Sequence, residues 1–435
     1  KISFMVYCEN YAPSVVISSP VAGASASDIE EIRIEARDGL SGVKRIEFYI
    51  DEELKMIKNE DGQYLFQYFW DTTEVSYGTH TLKAVVYDHV NKSSTTERDI
   101  LVDNSGWERE DAGYDAEGRI SFDVSSTGDV YTAYYDEVFG GQDPYHLTVA
   151  IRENGMWSEE YPDLSDDVGY YPSLKLDSYD SPCIAYYDNK NSILKYTDKK
   201  GGFWNTYTVN NSSGSGEGCS MLLDANGYGH ISYVDRVNLK IMYSSFTGTE
   251  WTVNEVEDIV SAADRYTSIV RSTDGIIGIA YYDTASTGLM YSVSRGTYFE
   301  TGVVDNSAAV GKYVKAESDI NGKIHVIYYD ETNDDLKYVL NSTGTWVDTI
   351  ISTETMSGVF FGMDTDSNGY AHVSYSYTGD HCYIYYNGSE WKTSDIDIGV
   401  KAAGGSSIVI DNGNKPHFIS TDSSDNISYT WWQQK

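Results

Sequence analysis

The chain has 435 residues, enough for two ordinary domains, and 67 Asp and Glu against 31 Lys and Arg give it a formal net charge of −36. This charge repels nucleic-acid phosphates and anionic membrane surfaces, so nucleic acid is excluded as an expected partner. No apolar run approaches the ~20 residues of a membrane-spanning helix, and the cysteines lack the CxxC spacing of zinc sites.

The first hundred residues contain two segments. Residues 1–11 contain a strand-like run, which predicts the tail of a preceding module or a linker. From residue 12 to residue 104, short runs of β-branched and aromatic residues alternate with turns. Period-two alternation of this kind predicts the half-buried strands of a β-sandwich.

The sequence of residues 12–104 also resembles that of a bacterial immunoglobulin-like domain. The matching segments read AP, EFYID, YFWDTT and HTLKAVVYD. They are carried by Ala12, Pro13, Phe48, Tyr49, Ile50, Asp51, Trp70, Asp71, His80 and Asp88. This resemblance implies an immunoglobulin-like sandwich that acts as a spacer in a longer tandem array.

A repeat of about 47 residues occupies residues 105–435. Its unit reads S-(L/I)-x-x-D-x-x-G-x-x-H-(I/V)-x-Y-Y-D, followed by a polar turn, L-K-Y and G-x-W. The seven copies end this motif at Asp136, Asp188, Asp235, Asp283, Asp330, Tyr377 and Asp422. Each copy divides into four runs of strand length, which is typical of one propeller blade, so we predict a seven-bladed β-propeller.

The two ends of the repeat region are incomplete in complementary ways. The seventh copy lacks its fourth strand, while a lone Gly-Trp segment at residues 106–110 precedes the first copy. We therefore expect the strand at Trp107 to complete the blade built from residues 407–432. Such an N-terminal closure removes a free sheet edge.

The Tyr-Tyr-Asp and Leu-Lys-Tyr repeats resemble those of exported bacterial and archaeal surface propellers, and they are distantly similar to sialidase and lectin propellers. They depart from the sialidase Asp-box, because most copies lack an Asp two residues before the Gly of the Gly-x-Trp turn. A sialidase-type site would also need three clustered arginines, and no arginine follows Arg295.

One face of the predicted disk carries the main candidate site. The repeat places acidic residues at the ends of second strands and tyrosines on the loops that enter the next blade. The candidate ligand-binding residues are Asp136, Asp188, Asp235, Asp283, Asp330, Asp422, Tyr171, Tyr266 and Tyr313. They predict an acidic, aromatic-lined funnel for cations or sugars; the alternative is that each Asp accepts backbone N–H bonds in a tight turn.

Other residues are candidates for smaller sites. Asp364, Asp366 and Asn368 match the start of a calcium loop, for which the alternative is a solvated turn. His230, His325, His372 and His417 share one repeat position, where a hydrogen bond inside each blade explains them better than one metal. Sequons permit glycosylation at Asn91, Asn210, Asn211, Asn341, Asn387 and Asn426.

These observations predict a non-catalytic, extracellular or cell-surface protein that is structural or adhesive, as in a surface layer, a filament or an adhesin. Its partners would be other copies of the chain, surface proteins or glycans, and calcium is the only cofactor that the sequence indicates. A carbohydrate-binding lectin propeller is the first alternative. A glycoside hydrolase or lyase is the last, and two carboxylates about 5–10 Å apart in a deep propeller pocket would favour it.

Overall fold

The computed structural model describes residues 11–21, 24–27, 29–59, 65–72, 75, 78–103, 106–137, 145–262, 266–307, 309–342, 344–353, 361–377, 380–396, 402–422 and 425–433. Most of the predicted N-terminal tail lies outside these ranges. Apart from a 3-10 turn at Lys200–Gly202, the regular elements of the described residues are strands, so the all-β prediction is confirmed. The chain divides into a first unit up to Gly106, joined by residues from Trp432 onward, and a second unit, Trp107–Trp431.

The first unit contains two sheets. One has the order β1-β3-β6, with β1 at Ser14–Ser19, β3 at Ile29–Arg37 and β6 at Leu65–Asp71. The other has the order β2-β8-β7-β4-β5, with β2 at Ser25–Ala26, β4 at Val43–Ile50, β5 at Glu53–Asn59, β7 at Gly78–Asp88 and β8 at Ser93–Val102. Alternate residues of β3, β4 and β7 are buried in one core, among them Ile32, Ile34, Ile46, Phe48 and Leu82. This is the sandwich that the period-two pattern predicts.

The described residues of the second unit form seven four-stranded antiparallel sheets. The first contains β10 (Glu117–Val124), β11 (Val130–Glu137), β12 (Tyr145–Glu153) and β13 (Met156–Asp163). The second contains β14 (Val168–Leu176), β15 (Pro182–Asp188), β16 (Ile193–Asp198) and β17 (Asn205–Asn210). The third contains β18 (Ser215–Leu223), β19 (Gly229–Asp235), β20 (Lys240–Phe246) and β21 (Trp251–Asp258).

The remaining sheets follow in chain order. The fourth contains β22 (Thr267–Arg271), β23 (Ile277–Asp283), β24 (Gly288–Ser294) and β25 (Phe299–Asp305). The fifth contains β26 (Val310–Ser318), β27 (Ile324–Asp330), β28 (Asp335–Asn341) and β29 (Trp346–Ser352). The sixth contains β30 (Gly362–Thr365), β31 (Ala371–Tyr377), β32 (Asp380–Tyr386) and β33 (Trp391–Ile396). The seventh combines β34 (Ala402–Ile410), β35 (Pro416–Asp422) and β36 (Asn426–Gln433) with β9 (Gly106–Asp115).

The first strand of each sheet, which we call the inner strand, packs against the inner strand of the next sheet. The inner strands that contact each other in this order are β10, β14, β18, β22, β26, β30 and β34. The last of them, β34, also contacts β10. The sheets are therefore arranged around a closed ring, as in a β-propeller.

Buried polar contacts join neighbouring sheets at the repeat motif. The first tyrosine of the Tyr-Tyr-Asp motif is buried in each copy that has it or its equivalent; these residues are Tyr134, Tyr186, Tyr233, Tyr281, Tyr328 and Tyr375. Tyr328 Oη donates to Asp305 in the preceding sheet at 2.7 Å, and Lys337 of the Leu-Lys-Tyr segment donates to the same carboxylate. The repeat motif thus supplies both the apolar body and the polar groups of an interface between sheets.

The N-terminal strand closes the ring. β9 is the hydrogen-bonded neighbour of β36, and Arg109 Nη2 donates to Ser428 Oγ at 2.8 Å. Trp107 packs against Phe418 and Tyr383, with ring centroids 5.1 and 5.7 Å away. The predicted closure of the seventh sheet by the segment at Trp107 is therefore confirmed.

A hydrogen bond between β9 and the first sheet also shows that β9 occupies the place of an outer strand. Glu110 of β9 accepts a hydrogen bond from Trp157 Nε1 of the first sheet at 2.8 Å. Glu160 of β13 accepts the equivalent bond from Trp204 Nε1 of the second sheet, also at 2.8 Å. Toward the first sheet, β9 thus makes the contact that the outer strand β13 makes toward the second.

Candidate functional site

The acidic residues at the ends of the second strands cap turns. Five of the six accept a backbone N–H bond from a residue three or four positions later. These bonds join Asn191 N to Asp188 at 2.8 Å, Asn238 N to Asp235 at 2.8 Å, Ser286 N to Asp283 at 3.0 Å, Asn333 N to Asp330 at 3.1 Å and Asn426 N to Asp422 at 3.1 Å. Asp136 is the penultimate residue of β11 and is half-buried. This geometry favours the turn-capping interpretation over a ring of free ligands.

The four repeat histidines each bond a tyrosine of their own sheet, as the repeat position predicts. The Nδ1-to-Oη distances are 2.6 Å for His230 and Tyr243, 2.8 Å for His325 and Tyr338, 2.6 Å for His372 and Tyr383, and 2.6 Å for His417 and Tyr429. Burial lowers the pKa of all four imidazoles. Among the described residues, no group of three or more His, Cys, Asp or Glu side chains is placed to hold a metal ion.

The three residues of the candidate calcium loop have different roles. Asp366 accepts N–H bonds from Asn368 and Tyr370 at 2.9 and 2.8 Å, so it caps the hairpin turn. Asp364 lies in the inner strand β30 and accepts bonds from Thr365 N and Ile410 N, both at 2.7 Å. Both carboxylates thus accept backbone N–H bonds, which favours the turn interpretation.

The sequons differ in accessibility. Asn387 is exposed and Asn91 lies in an exposed turn. Asn211 is exposed, whereas Asn341 and Asn426 are half-buried. Asn210 is buried and its amide donates to Tyr233 Oη at 2.9 Å. Asn210 cannot carry a glycan in the folded chain, which corrects that candidate: the sequence pattern does not register the burial of the side chain.

The three candidate tyrosines come together. Tyr171 contacts Tyr266 with ring centroids 6.0 Å apart, and Tyr266 contacts Tyr313 at 5.0 Å. The guanidinium carbon of Arg119 lies 3.7 Å from the centroid of the Tyr266 ring. The four residues, here called the tyrosine cluster, come from the inner-strand region of the first, second, fourth and fifth sheets. Because these sheets meet only around the axis, the cluster lies near the axis of the ring.

The backbone beneath two of these tyrosines is left-handed. Tyr171 and Tyr313 have φ angles of +51° and +55°, and Gly218 has +58° at the equivalent position of the third sheet. A left-handed residue with a side chain costs about 1–2 kcal/mol, a cost that glycine avoids. The local fold therefore favours glycine at this position, and tyrosine is retained against that preference. Strain of this kind is concentrated at functional sites.

A channel with charged walls runs between the inner strands. A cavity of about 330 Å³ is lined by residues of all seven inner strands, including Lys175, Lys315, Glu317 and Asp364. A smaller cavity of about 40 Å³ adjoins Lys315 and Arg119. None of these channel residues was predicted from the sequence: Lys175, Lys315, Glu317 and Arg119.

Comparison of equivalent positions in the repeat copies points to these residues. Strand pairing aligns seven inner-strand positions, occupied by Ser121, Ser173, Ser220, Ser268, Lys315, Gly362 and Ser407. Five copies thus carry serine where the fifth sheet carries Lys315. Two residues further on, the copies diverge among acidic, basic and apolar side chains, including Lys175, Leu222 and Glu317. A position at which the copies disagree is a candidate for function.

The channel alters the acid–base chemistry of its walls. Burial, together with the Arg119 guanidinium, lowers the pKa of Lys315 to about 8. Burial, together with the Glu317 carboxylate, raises the pKa of Asp364 to about 7. Burial alone would lower the pKa of Lys175, but the Glu317, Asp123 and Asp364 carboxylates together raise it above its usual value. Perturbed groups that share one cavity mark a candidate functional site.

Comparison with solved structures gives weak likenesses. A lectin of Aleuria aurantia in complex with Fucalpha1-6GlcNAc is 14% identical, with a TM-score of 0.45, and the match covers 63% of this chain and 94% of that chain. YCF48 bound to D1 peptide is 13% identical, with a TM-score of 0.48, over 75% of this chain and 94% of that chain. The Hadza microbial sialidase Hz136 is 11% identical, with a TM-score of 0.41, over 96% and 94%. At these identities and TM-scores, none of the likenesses extends to a ligand or an activity.

Sequence comparison assigns one of the two units. No curated protein matches the chain. The described residues contain no helix long and apolar enough to cross a membrane. The family model of the bacterial Ig domain matches residues 13–84, and those residues lie in the two-sheet sandwich of the first unit. This segment is a bacterial immunoglobulin-like domain.

Proposed function

We propose that the propeller binds a saccharide on the face that carries the tyrosine cluster. In this proposal the protein is non-catalytic and exported, and its immunoglobulin-like domain is a spacer that holds the propeller away from the cell. The observation that carries the proposal is the retention of Tyr171 and Tyr313 at left-handed positions where the third sheet has Gly218.

The chemistry of the tyrosine cluster suits a sugar. Its three rings are half-buried, so each keeps part of its surface for a ligand. Aromatic side chains are amphipathic: their faces pack on the apolar C–H surfaces of pyranose rings, and their hydroxyls bond sugar hydroxyls. The Arg119 guanidinium on the Tyr266 ring adds N–H donors at the same place.

A saccharide site favours the adhesive form of the surface-protein hypothesis over a purely structural surface layer or filament. Adhesion needs a ligand site on an exposed end of the molecule, and the spacer supplies distance. Glycosylation at exposed sequons such as Asn387 belongs to the same proposal. Calcium has no part in it, because the oxygens of Asp364 and Asp366 bond backbone N–H groups.

One observation favours a hydrolase as the second candidate. Glu317 and Asp364 lie on neighbouring inner strands and line the same cavity. Two carboxylates in one pocket are the groups that glycoside hydrolysis uses. Asp364 is bonded by two backbone N–H groups, which gives it a structural role and leaves the saccharide-binding function as our choice.

A glycan array with the full chain tests the proposal. We expect saturable binding to a saccharide, and a loss of about tenfold in affinity for Tyr266→Ala, since one stacking contact contributes about 0.5–1.5 kcal/mol. Tyr179→Ala is the matched control, because Tyr179 is 87% exposed and lies in a turn away from the cluster. Failure of the native protein to bind any glycan would refute the proposal, and equal losses in both variants would remove the cluster from it.

A further inference from the structure

Serine hydroxyls form a ring in the channel. Each of four inner-strand serines accepts the backbone N–H of a residue in the next inner strand. The bonds join Leu174 N to Ser121 Oγ at 2.9 Å, Met221 N to Ser173 Oγ at 2.9 Å, Ile269 N to Ser220 Oγ at 3.3 Å and Ala316 N to Ser268 Oγ at 2.9 Å. A hydroxyl oxygen that accepts a bond still has its hydrogen to donate. The ring therefore fixes four oxygens and leaves four O–H donors.

Lys315 continues this ring in the fifth sheet. Its strand register is that of the serines, so its ammonium adds up to three N–H donors beside the hydroxyls. Lys315 lines both the larger and the smaller cavity. Within the described part of the chain, its ammonium has no hydrogen bond or ion pair, and the charges acting on it are mostly like charges, from Arg119 and Lys175.

The two lysines of the channel differ in the charges that surround them. Lys175 and Lys315 both line the larger cavity, and neither forms an ion pair within the described ranges. The Glu317, Asp123 and Asp364 carboxylates act on Lys175, whereas Glu317 is the one carboxylate that acts on Lys315 against two cations, Arg119 and Lys175. An enclosed ammonium without a partner is costly, and an anionic ligand would supply the missing charge.

We propose that the ring channel binds a small oxyanion between Lys315, Lys175 and the serine hydroxyls. The ligand class is phosphate, sulfate or a small carboxylate, all of which accept several hydrogen bonds from O–H and N–H donors. The cavity volume of about 330 Å³ accommodates such an ion with water. This site adjoins the tyrosine cluster, because the smaller cavity is lined by both Lys315 and Arg119, but it does not require saccharide binding.

Titration calorimetry on the full chain with phosphate, sulfate and acetate tests this inference. We expect saturable binding of at least one of these ions, and a loss of tenfold or more for Lys315→Ser. This variant restores the residue found at five equivalent positions, so it should fold as the native chain does. Lys190→Ser is the control, because Lys190 is exposed and pairs with the exposed Asp166. The three ions distinguish a tetrahedral ligand from a planar carboxylate.

A second measurement does not depend on a variant. Reaction of the amines with an acylating reagent, followed by mass spectrometry, should show Lys315 protected by the bound ion while Lys190 reacts unchanged. Binding should also weaken above about pH 8, since Lys315, with Arg119, Lys175 and Glu317 facing it, loses its proton there. Absence of saturable binding by the native protein would overturn the proposal, as would Lys315→Ser binding with native affinity.

Discussion

The positions between the sheets and the positions around the axis follow different rules. Between sheets, the copies of the repeat agree and their polar groups are paired, as in Tyr328 with Asp305 and Tyr186 with Asp163. Around the axis, the copies disagree, and side chains such as Lys315 stand without an ion pair among the described residues. Agreement among copies therefore marks the scaffold of this propeller, and disagreement marks its candidate sites.

The largest predicted effect comes from removing residues 105–111. If closure by β9 is part of the scaffold, this deletion should lower the free energy of unfolding of the propeller by about 5 kcal/mol or more. The reason is that it removes the Trp107 contacts and the Glu110 bonds and exposes the edge of β36. Chemical denaturation followed by tryptophan fluorescence measures it.

The control for this deletion is a substitution at an exposed position of the propeller. Substitution of the exposed Phe203 by Ser, on the surface of the second sheet, should change stability by less than about 0.5 kcal/mol. A deletion variant as stable as this control would mean that β9 is dispensable and that the ring does not depend on it.

A single buried ion pair gives the next largest effect. Lys337 and Asp305 have side chains that are 7% and 10% exposed, and burial of Asp305 would raise its pKa were it not for Lys337, which helps to hold it at about 2. Lys337→Met should destabilise the propeller by about 3 kcal/mol at pH 7, because it leaves a buried carboxylate without its partner. Lys190→Met breaks a pair whose side chains are both 54% exposed, and it should cost less than about 1 kcal/mol. If denaturation experiments gave the same loss of stability for both variants, burial would not explain the contribution of the Lys337–Asp305 pair.

The smallest effect concerns the histidines. Because burial lowers the pKa of His372, the unfolded chain binds more protons than the folded chain below about pH 6.5. This part of the stability is complete above that pH and is lost as the pH falls toward the lower pKa of the folded state. His372→Cys should reduce the slope of stability against pH by up to about 1.4 kcal/mol per unit.

Cysteine is a replacement that the repeat itself contains, since Cys183 occupies the equivalent position in the second sheet. Denaturation between pH 7.5 and pH 5.5 measures the slope, and substitution of the exposed His89 by Gln in the first unit is the control. An unchanged slope in His372→Cys would show that this imidazole takes no proton on unfolding in that range.

The scaffold could be predicted because it is periodic. The missing fourth strand of the last copy and the unpaired segment at Trp107 were enough to predict closure. The shared repeat position was enough to predict a hydrogen bond inside the blade, which His372 makes with Tyr383. The sequence placed Tyr171, Tyr266 and Tyr313 together at equivalent positions of a ring, but Tyr171 and Tyr313 lie in the inner strands β14 and β26 rather than on loops. In each case, a pattern repeated along the chain becomes a pattern repeated around the axis.

The charged channel could not be predicted in the same way. Lys315 and Lys175 are single departures from the repeat, and bulges shift the strand register just before them. The Asp364–Asn368 segment shows the opposite problem. Its spacing is that of a calcium loop, but a strand ends between Asp364 and Asp366 and directs the two carboxylates to different backbone partners. The spacing of acidic residues along the chain does not determine whether their carboxylates point toward one another.

The closure by β9 also sets an order of events during synthesis. Asp111 and Ser428, which are hydrogen-bonded across the closure, are 317 residues apart. At about 5–20 residues per second, roughly 15–60 s separate the emergence of these partners from the ribosome. During that interval β9 has no strand to pair with, and unpaired strands are prone to aggregate. The sequence of β9 is acidic, with Glu108, Glu110, Asp111 and Asp115 in ten residues. These charges disfavour pairing of the unpaired strand with strands of other chains.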